Sequence, residues 1–555
     1  MQPIGPRLLV ALLLGAAACL PAAAQEPALP GPPEGAAPQG CDYLMVTAPA
    51  PGSPPGLVVD VARAVSRLAE HRRAEGMKVT TGVQFGPHVG RQIQDEVRKL
   101  RPKYLLLVGG VDAIPAFEIA ETASDRPYGD LDGDGYPEVS VGRIPSSDPE
   151  VVARVVARTI AYEQERDGGL WRKQCALVAG EGRFSPQIDS MIEGLFNQVV
   201  SKAIDPAYDI DLTYANPNSP YCYPPRQLAD RVVDRLNQGA LIFAYVGHGA
   251  ERSVDELQVK GPDGKITRYP VLDASHVERL RTGGAPPVVV SIACWTGRMD
   301  GERPSIGEEL LATDGGPVAF YGSSRISHPV QNALLAMELV RSLFDDTGEL
   351  RLGPALDRAE RAMVLGAEGP ADPVRAQVMM MASAFLGADE MRKEMPRHVD
   401  MYNLFGDPAL RLARPDGRIA LRGPEAADAG STIEVEGAVP NPDAVRSVTV
   451  TVEVPRERSA RPDPSEGETP YERFARANDK VVITQIVGVE ADGRFSLALD
   501  LPAGLLSGAY QVKAFAQGRG TCAIGSLALK VAADPGFDPF EEDEAPAPTS
   551  AVPYY

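Results

Sequence analysis

Residues 104–110 read YLLLVGG, and this stretch decides the fold. An apolar run without alternation is typical of a parallel strand that is covered on both faces. The run ends on two glycines, which mark a turn. Comparable runs recur along the chain: CALVAG, LIFAYVG, VVVSIA and VAFYGS. We therefore predict a mainly parallel sheet.

Segments with one apolar face lie between these runs and predict helices. In VVDVARAVSRLAEHRRAEG, apolar residues recur from Val58 to Leu68 at the spacing of a helix face. Four more segments are predicted to be helices: RQIQDEVRKL, PEVVARVVARTIAYEQE, PQIDSMIEGLFNQVV and RQLADRVVDRLNQG. Alternating strands and helices predict an α/β domain with flanking helices over residues 41–412, in two parts, 41–168 and 169–412.

The pattern changes after residue 412. Short strands separated by Gly, Asp and Pro follow one another without helical periodicity. They predict a β-sandwich of immunoglobulin-like size over residues 413–533. Its charged insert, RERSARPDPSEGETPYERFARANDK, is expected to be a long, mobile hairpin loop.

The two ends of the chain have their own compositions. Residues 1–24 have the basic start, the apolar stretch and the A-x-A cleavage site of a secretory signal peptide. Residues 25–40 form a Pro/Ala/Gly linker, and the acidic, Pro-rich residues 534–555 are predicted to be a disordered tail. A membrane anchor and a lipoprotein signal at Cys19 are the alternatives at the N-terminus. We expect a secreted or cell-surface protein.

The composition restricts the classes of partner that the protein can bind. The chain has 555 residues and a net charge of −20, which argues against nucleic acid because phosphate binding needs a basic face. After the signal, no apolar run is long enough for a transmembrane segment. Five cysteines remain once the signal is removed, an odd number that leaves at least one thiol unpaired. A disulfide between Cys175 and Cys222 stays open.

The residues that follow the apolar runs carry the chemistry. They are, in chain order, Gly109 and Gly110, Glu181, His248, Cys294, and Ser323 and Ser324. Because active groups gather beyond the carboxyl ends of parallel strands, we predict that these residues lie close together. A thiol, an imidazole and a carboxylate are the groups of a cysteine nucleophile, its base and a residue that orients the base.

The glycines beside His248 add to this interpretation. Gly247 lets the imidazole swing into a cleft, and Gly249 leaves its N–H unshielded. The N–H groups of Gly249 and Cys294 would then form an oxyanion hole. Taken alone, Cys294 is more typical of a buried structural cysteine, and His248 of a packed or solvated residue. Their paired placement favours chemistry.

Other chemical signatures are absent from the sequence. It contains no HExxH zinc motif, no GxSxG nucleophile elbow, no P-loop and no GxGxxG. Ser323 and Ser324 lack the glycines of a nucleophile elbow.

A second motif is the acidic loop in YGDLDGDGYPEVSVGRIP. Asp130, Asp132 and Asp134 alternate, and Glu138 follows. Oxygen ligands at alternate positions of a glycine-rich loop suit a structural Ca²⁺ ion. The loop is not an EF-hand, since Val141 occupies the place of the Glu at position twelve. The alternative is an acidic, solvated turn.

Six segments together resemble the gingipain family of caspase-like cysteine peptidases: YLLLVGGVDAIPA, SDRPYGDLDGDGYPEVSVGRIP, YVGHGA, SIACWTG, PVAFYGSS and YNLFGDPAL. They occur in the family's order within residues 41–412. The resemblance implies a caspase-like α/β fold followed by an immunoglobulin-like domain. It also implies Cys294 as the nucleophile, His248 as its base, Gly249 in the oxyanion hole and Glu181 as the residue that steadies the histidine.

The resemblance also implies where a substrate binds. An acidic residue that reads a P1 Arg or Lys would fall near Ser185, with Asp189 one turn further on, and Ser323 and Ser324 would line the same pocket. The family's Trp over this pocket has no counterpart in SSRISHPV, so P1 preference stays open. The stretch ELQVKGPDGKITRYP, between His248 and Cys294, resembles an inserted hairpin.

These observations predict a thiol endopeptidase that hydrolyses peptide bonds through a thioester acyl-enzyme. We expect it to act on protein or peptide substrates as a monomer and to require no cofactor for its chemistry. A sortase-like transpeptidase, which delivers the acyl group to an amine, is the enzymatic alternative. A catalytically silent surface adhesin is the alternative from another class.

Overall fold

The computed structural model describes residues 40–533 apart from 87, 166–167, 183–203, 218, 346–347, 367–374, 377, 381–387, 457, 459 and 461–466. The predicted signal peptide, the linker up to residue 39, the predicted helix PQIDSMIEGLFNQVV and the acidic tail lie outside these residues.

The α/β part alternates strands and helices as expected. Its strands are β1 (Tyr43–Thr47), β2 (Val79–Val83), β3 (Tyr104–Val108), β4 (Phe117–Ile119), β5 (Thr122–Ser124), β6 (Ser140–Ile144), β7 (Gln174–Ala179), β8 (Asp209–Tyr214), β9 (Ile242–Val246), β10 (Gly249–Ala250), β11 (Ser253–Val254), β12 (Glu256–Lys260), β13 (Ile266–Pro270), β14 (Val288–Ile292), β15 (Ala319–Ser323) and β16 (Tyr402–Phe405). Its helices are α1 (Pro55–Ala74), α2 (Val89–Leu100), α3 (Pro149–Gln164), α4 (Leu228–Asn237), α5 (Ala274–Val277), α6 (Ile306–Ala312), α7 (Pro329–Leu343), α8 (Leu352–Leu365) and α9 (Ala388–Asp400).

Ten of the described strands form one sheet, in the order β2-β1-β3-β6-β16-β15-β14-β9-β7-β8. Strands β2, β1, β3 and β6 are parallel to one another and form what we call the first half. Strands β15, β14, β9, β7 and β8 are also mutually parallel and form the second half. Between them, β16 is parallel to β6 and antiparallel to β15. The mainly parallel sheet is confirmed, and its two halves run in opposite directions.

This reversal corrects one expectation. Gly109 and Gly110 follow β3 of the first half, so they lie at the sheet edge opposite the carboxyl ends of β9 and β14. They are therefore not grouped with His248 and Cys294. The four-residue strand β16, which creates the reversal, was not predicted because it is too short to show a period.

The apolar runs are strands that are covered on both faces. All five residues of β14 are buried, and its side chains alternate between two cores. Val289 packs in one core with Phe243 of β9, whereas Val288 and Val290 pack in the other. A strand with a core on each face needs apolar residues at every position. This explains why the sequence shows continuous runs.

The C-terminal part consists of β-strands in two sheets. Its strands are β17 (Gly417–Arg418), β18 (Ala420–Arg422), β19 (Ala426–Asp428), β20 (Thr432–Ala438), β21 (Val445–Glu453), β22 (Val481–Gly488), β23 (Arg494–Asp500), β24 (Gly508–Gly518) and β25 (Thr521–Ala532), and helix α10 (Pro470–Asn478) interrupts them. Among the described strands, six form one sheet and three, β18-β20-β23, form the other. Side chains of both sheets share one core, including Val435, Leu499, Val450 and Val512. The predicted β-sandwich is confirmed.

The charged insert of the sandwich was expected to be a long, mobile hairpin loop, and this expectation is wrong for part of it. Part of it is helix α10, which Thr469 and Glu472 begin with reciprocal capping hydrogen bonds. Phe474 on this helix stacks on Tyr223 of the α/β part, with ring centroids 3.7 Å apart. The side chain of Asn478 donates to the Leu212 carbonyl (2.9 Å) and accepts from its N–H (3.0 Å), so it pairs with edge strand β8. The capping box in ETPYE was the overlooked signal.

The predicted domain boundaries remain predictions, although the sheet takes strands from both sides of residue 168. The predicted hairpin in ELQVKGPDGKITRYP is confirmed by the antiparallel pair β12–β13. None of the helices in the described part of the chain combines the length and apolar character that a bilayer crossing needs.

Candidate active site

The register of three neighbouring strands brings the predicted catalytic residues together. Ala179 of β7 pairs with Val246 of β9, and Val246 pairs with Ile292 of β14. Glu181, His248 and Cys294 each follow this row by two residues. Because adjacent strands are about 5 Å apart, the backbones of the three residues lie side by side at one sheet edge.

Gly249 lies directly against the cysteine. A Cβ atom at Gly249 would be 2.5 Å from the Cys294 carbonyl oxygen and 2.9 Å from Ala293 Cβ. Only glycine allows this close approach of two backbones. Gly249 also begins β10, in which it pairs with Val254.

Gly247 also has a packing role, and its predicted role in freeing the ring stays a prediction. A Cβ atom there would lie 2.7 Å from the Tyr245 hydroxyl and 3.0 Å from the Gly180 backbone. This glycine therefore lets the ends of β7 and β9 pack closely, which brings the Glu181 segment near His248.

The backbone and the ring of His248 are both held. The Tyr245 hydroxyl donates to the His248 carbonyl (2.7 Å) and accepts from the Asp255 N–H (3.1 Å). On the ring, Nε2 lies 3.3 Å from the carbonyl oxygen of Gly182, the residue after Glu181. When Nε2 carries the proton and donates to this carbonyl, Nδ1 is the ring nitrogen with a lone pair that can accept a proton.

Cys294 differs from the other cysteines in exposure. It is the one partly exposed cysteine among the five that the structure describes, and all five are free thiols. The structure therefore contradicts a disulfide between Cys175 and Cys222, which the sequence had left possible. Burial raises the pKa of Cys175 to about 12 and that of Cys222 to about 11, so neither forms a thiolate near neutral pH.

The loop after Cys294 is constrained. Trp295 has a φ of 64°, in the left-handed region that non-glycine residues rarely adopt. Its N–H donates to the Arg325 carbonyl (3.0 Å). The guanidinium groups of Arg298 and Arg325 lie 5.0 and 5.6 Å from the indole centroid. Strained residues of this kind cluster at functional sites.

The two predicted substrate serines have other roles. Ser323 and Ser324 are fully buried. The Ser323 hydroxyl donates to the Arg325 carbonyl (2.9 Å), and the Ser324 hydroxyl to the Ala123 carbonyl (2.7 Å). Their side chains stabilise the loop, and a place for the two serines in a substrate pocket stays a prediction. Ser185 and Asp189, the other predicted pocket residues, lie outside the described residues.

The acidic loop gathers three of its four predicted ligands. Carboxylate oxygens of Asp130, Asp132 and Glu138 lie within 4.8 Å of one another. Burial, and then the negative charges of Asp132 and Asp130, raise the pKa of Glu138. Asp134 does not join them, and its carboxylate accepts the N–H of Tyr136 (2.8 Å).

Four residues behind the thiol were missed by sequence analysis. Ser327 donates its N–H to Cys294 Sγ (3.3 Å), and Asn332, His398 and Tyr402 lie behind it in a buried, hydrogen-bonded group. Ser327 stands within SSRISHPV, directly before α7, which is the available sequence signal. His398 and Tyr402 are too distant in sequence for a local pattern to reveal.

The fold and the row of Glu181, His248 and Cys294 define an α/β protein whose site has the groups of a cysteine peptidase. Residues 36–413 match the model of peptidase family C25, and the chain belongs to this family. The resemblance to gingipains is thus confirmed.

The relatives are known gingipains. Over 273 residues the chain is 25% identical to Lys-gingipain of Porphyromonas gingivalis, which covers 47% of this chain and 14% of that protein. Over 314 residues it is 24% identical to gingipain R2 of the same species, which covers 55% of this chain and 37% of the relative. The chain thus spans well under half the length of these relatives.

A solved structure shows the same fold. The crystal structure of the Arg-specific cysteine proteinase gingipain R superposes with a TM-score of 0.51 and 18% identity, covering 89% of this chain and 98% of that one. At this identity the likeness establishes the caspase-like fold alone.

Proposed function

We propose that the protein is a secreted cysteine endopeptidase with a Cys294–His248 dyad. The observation that carries the proposal is the position of a partly exposed thiol on the row that also places His248 and Glu181. Membership of a peptidase family supports protein or peptide substrates. Export rests on the sequence of residues 1–24.

The reaction uses only groups of the chain. His248 accepts the Cys294 proton, and the thiolate attacks the scissile carbonyl carbon. The N–H groups of Gly249 and Cys294 stabilise the oxyanion, and Glu181 steadies the imidazolium. The C–N bond breaks as His248 protonates the leaving amine, which leaves a thioester. Water, deprotonated by His248, attacks this thioester, and the thiol leaves to restore the enzyme.

The first test is Cys294→Ala in a broad peptide-library cleavage assay. We expect cleavage to fall at least 1,000-fold, since the nucleophile is lost. Cys41→Ala, which changes a buried cysteine, serves as the matched control and should keep activity. Unchanged cleavage by Cys294→Ala, with an intact thermal transition, would disprove the proposal.

Two further readouts separate the alternatives. Ligated products formed with added amines, in preference to hydrolysis, would identify a transpeptidase. In the folded protein, iodoacetamide should modify Cys294 first, because the other four described cysteines are buried. Failure to label Cys294 would favour the catalytically silent adhesin.

The substrate pocket remains a prediction. Ser185 and Asp189 are its proposed residues, and a cleavage profile of Asp189→Asn tests whether this carboxylate reads a basic P1 side chain. Loss of cleavage after Arg or Lys, with cleavage elsewhere retained, would support that role.

We also propose that the acidic loop holds a structural Ca²⁺ ion through Asp130, Asp132 and Glu138. The three carboxylates supply the oxygen ligands that this cation prefers, and their mutual repulsion would be relieved by it. A chelator should lower the melting temperature of the wild type but not of Asp130→Asn with Asp132→Asn. Equal melting temperatures with and without chelator would contradict the proposal.

A further inference from the structure

A buried polar chain leads from the thiol into the protein at the start of α7. The Ser327 N–H lies 3.3 Å from Cys294 Sγ, and the Ser327 hydroxyl lies 3.7 Å from it. Asn332 Nδ2 donates to Ser327 Oγ (2.8 Å). Asn332 Oδ1 accepts from the Tyr402 hydroxyl (2.6 Å) and meets Nε2 of His398 (2.9 Å). We call Ser327, Asn332, His398 and Tyr402 the thiol relay.

The hydrogen bonds of the relay have a direction. Asn332 Oδ1 can only accept, so His398 must carry its proton on Nε2. Burial, and then the nearby His328, lower the pKa of His398 to about 3, which keeps its ring neutral. Nδ1 of His398 then carries no proton and can only accept; it has no hydrogen-bond partner within the described residues. A buried acceptor without a partner is tolerated better than a buried N–H without one.

This direction decides where the Ser327 hydroxyl points. Since its oxygen accepts from Asn332, its hydrogen must go to another acceptor. Cys294 Sγ is in reach, 3.7 Å away. A thiolate is a strong acceptor because it is charged, whereas a neutral thiol is a weak acceptor and donates its own hydrogen to the Ser327 carbonyl (3.5 Å).

The surroundings of the thiol favour the same state. Ser327 directly precedes His328, the N-cap of α7, so the thiol lies near the positive end of this 15-residue helix, although the Ser327 N–H itself is outside it. Among the described residues, the titratable groups around the thiol and the relay are Glu181 from the end of β7, His248 from the end of β9, Tyr402 from β16, His398 from α9, and His328 beside Ser327. The charged Arg325 and Arg298 are stacked on Trp295, next along the chain. Both arginines pair with Asp300, and Arg298 also pairs with Glu251.

We propose that Ser327, Asn332 and His398 are positioning residues that aim hydrogen-bond donors at the Cys294 thiolate. The proposal rests on the proposed function, in which this thiolate is the nucleophile. His398 fixes the orientation of the Asn332 amide, Asn332 fixes the Ser327 hydroxyl, and Ser327 stabilises the charged sulfur. Tyr402 donates to the same Asn332 oxygen as His398 and helps to fix the amide.

The test measures the pH dependence of iodoacetamide alkylation at Cys294 in the whole protein, followed by peptide mass spectrometry. Ser327→Ala removes the donor, and Asn332→Asp offers a charged acceptor that draws the hydroxyl away. We expect both to shift the profile to higher pH and to lower the alkylation rate at pH 7 about tenfold. Ser342→Ala is the matched control, since Ser342 is a buried serine on the same helix that donates to Ala355 (2.6 Å) and lies outside the relay.

Ser327→Thr keeps a hydroxyl donor at this position and guards against a mere folding defect. Its profile should stay closer to the wild type than that of Ser327→Ala. Profiles of Ser327→Ala and Asn332→Asp that coincide with the wild type would overturn the relay, even if peptide cleavage persists. Shifts of the expected sign in a protein that cleaves no peptide would support the relay and count against the peptidase proposal instead.

Discussion

The first and second halves of the sheet are built from the same kind of strand but do different work. β3 and β14 are both continuous apolar runs that are buried on both faces. Because the halves run in opposite directions, only the second half presents the carboxyl ends of its strands at the edge with Cys294. Strand pattern alone therefore does not tell which strand ends carry chemistry; the direction of each half does.

The first half still reaches the catalytic edge, through loops that precede β6. The turn after β4 supplies the Glu121 carbonyl, which accepts from Arg325 (2.6 Å), and Ala123 of β5 accepts from Ser324 (2.7 Å). Both bonds hold the segment that continues into Ser327. The first half thus acts as a support for the loop beside the thiol.

The first half and the surroundings of the thiol bury different polar groups. In the first half, Arg143 forms a two-pronged ion pair with Asp125, and Arg72 pairs with Glu163 and Asp407. Next to the thiol, the relay consists of uncharged side chains. A buried ion pair holds two elements together through charges that are always present. A neutral network instead offers hydrogen-bond donors to a charge that forms only when the sulfur loses its proton.

The largest expected effect comes from a substitution that disrupts the first half of the sheet. Arg143→Met leaves the buried Asp125 carboxylate and the carbonyls of Gly109 and Ile114 without this donor. We expect the free energy of unfolding to fall by about 3–5 kcal/mol, measured by urea denaturation. Adding Asp125→Leu should recover part of this loss. Where the variant is folded, iodoacetamide labelling of Cys294 should change, because the first half supports the loop beside the thiol. A labelling profile equal to that of the wild type would show that this support does not reach the thiol.

The next effect concerns the second half, which carries the proposed dyad. Gly249→Ala places a Cβ atom 2.5 Å from the Cys294 carbonyl oxygen, so the backbone beside Cys294 must shift. We expect kcat/KM to fall about 100-fold with little loss of stability. Gly56→Ala, where a Cβ meets open space, is the control. Equal activity of both variants would remove Gly249 from the site.

The next prediction concerns how the buried charge of Glu163 makes the stability of the protein depend on pH. Burial opposes ionisation of Glu163, but hydrogen bonds from His71, Arg72 and the Arg411 N–H outweigh it and lower its pKa from 4.5 to about 2. A lowered carboxyl pKa stabilises the fold above pH 4.5, and this stability is lost as the pH falls towards 2. Glu163→Gln should therefore cost about 2 kcal/mol at pH 7.

The same variant should approach the wild type in stability at low pH, as followed by urea denaturation from pH 7 to pH 2.5. The exposed Glu70→Gln serves as its control. A difference that stays constant across this range would mean that the charge of Glu163 does not matter.

Much of the fold was predictable, because burial on both faces leaves continuous apolar runs in the central strands, such as β3 and β14. Cys294 and His248 became candidates because each closely follows such a run. Local patterns do not encode the reversal by β16, the burial of Ser323 and Ser324, or the relay. Those features depend on residues such as Asn332 and Tyr402 that meet only through the tertiary fold.

The smallest expected effect tests the strained residue beside the nucleophile. Trp295 has a φ of 64°, which an alanine tolerates poorly and a glycine freely. Both Trp295→Gly and Trp295→Ala lose the contacts with Arg298 and Arg325, so their difference isolates the backbone. We expect the glycine variant to be more stable than the alanine variant by about 1 kcal/mol, against the usual order. If alanine is the more stable, the loop relaxes when the indole is removed, and the strain belongs to the ring contacts rather than to the turn after Cys294.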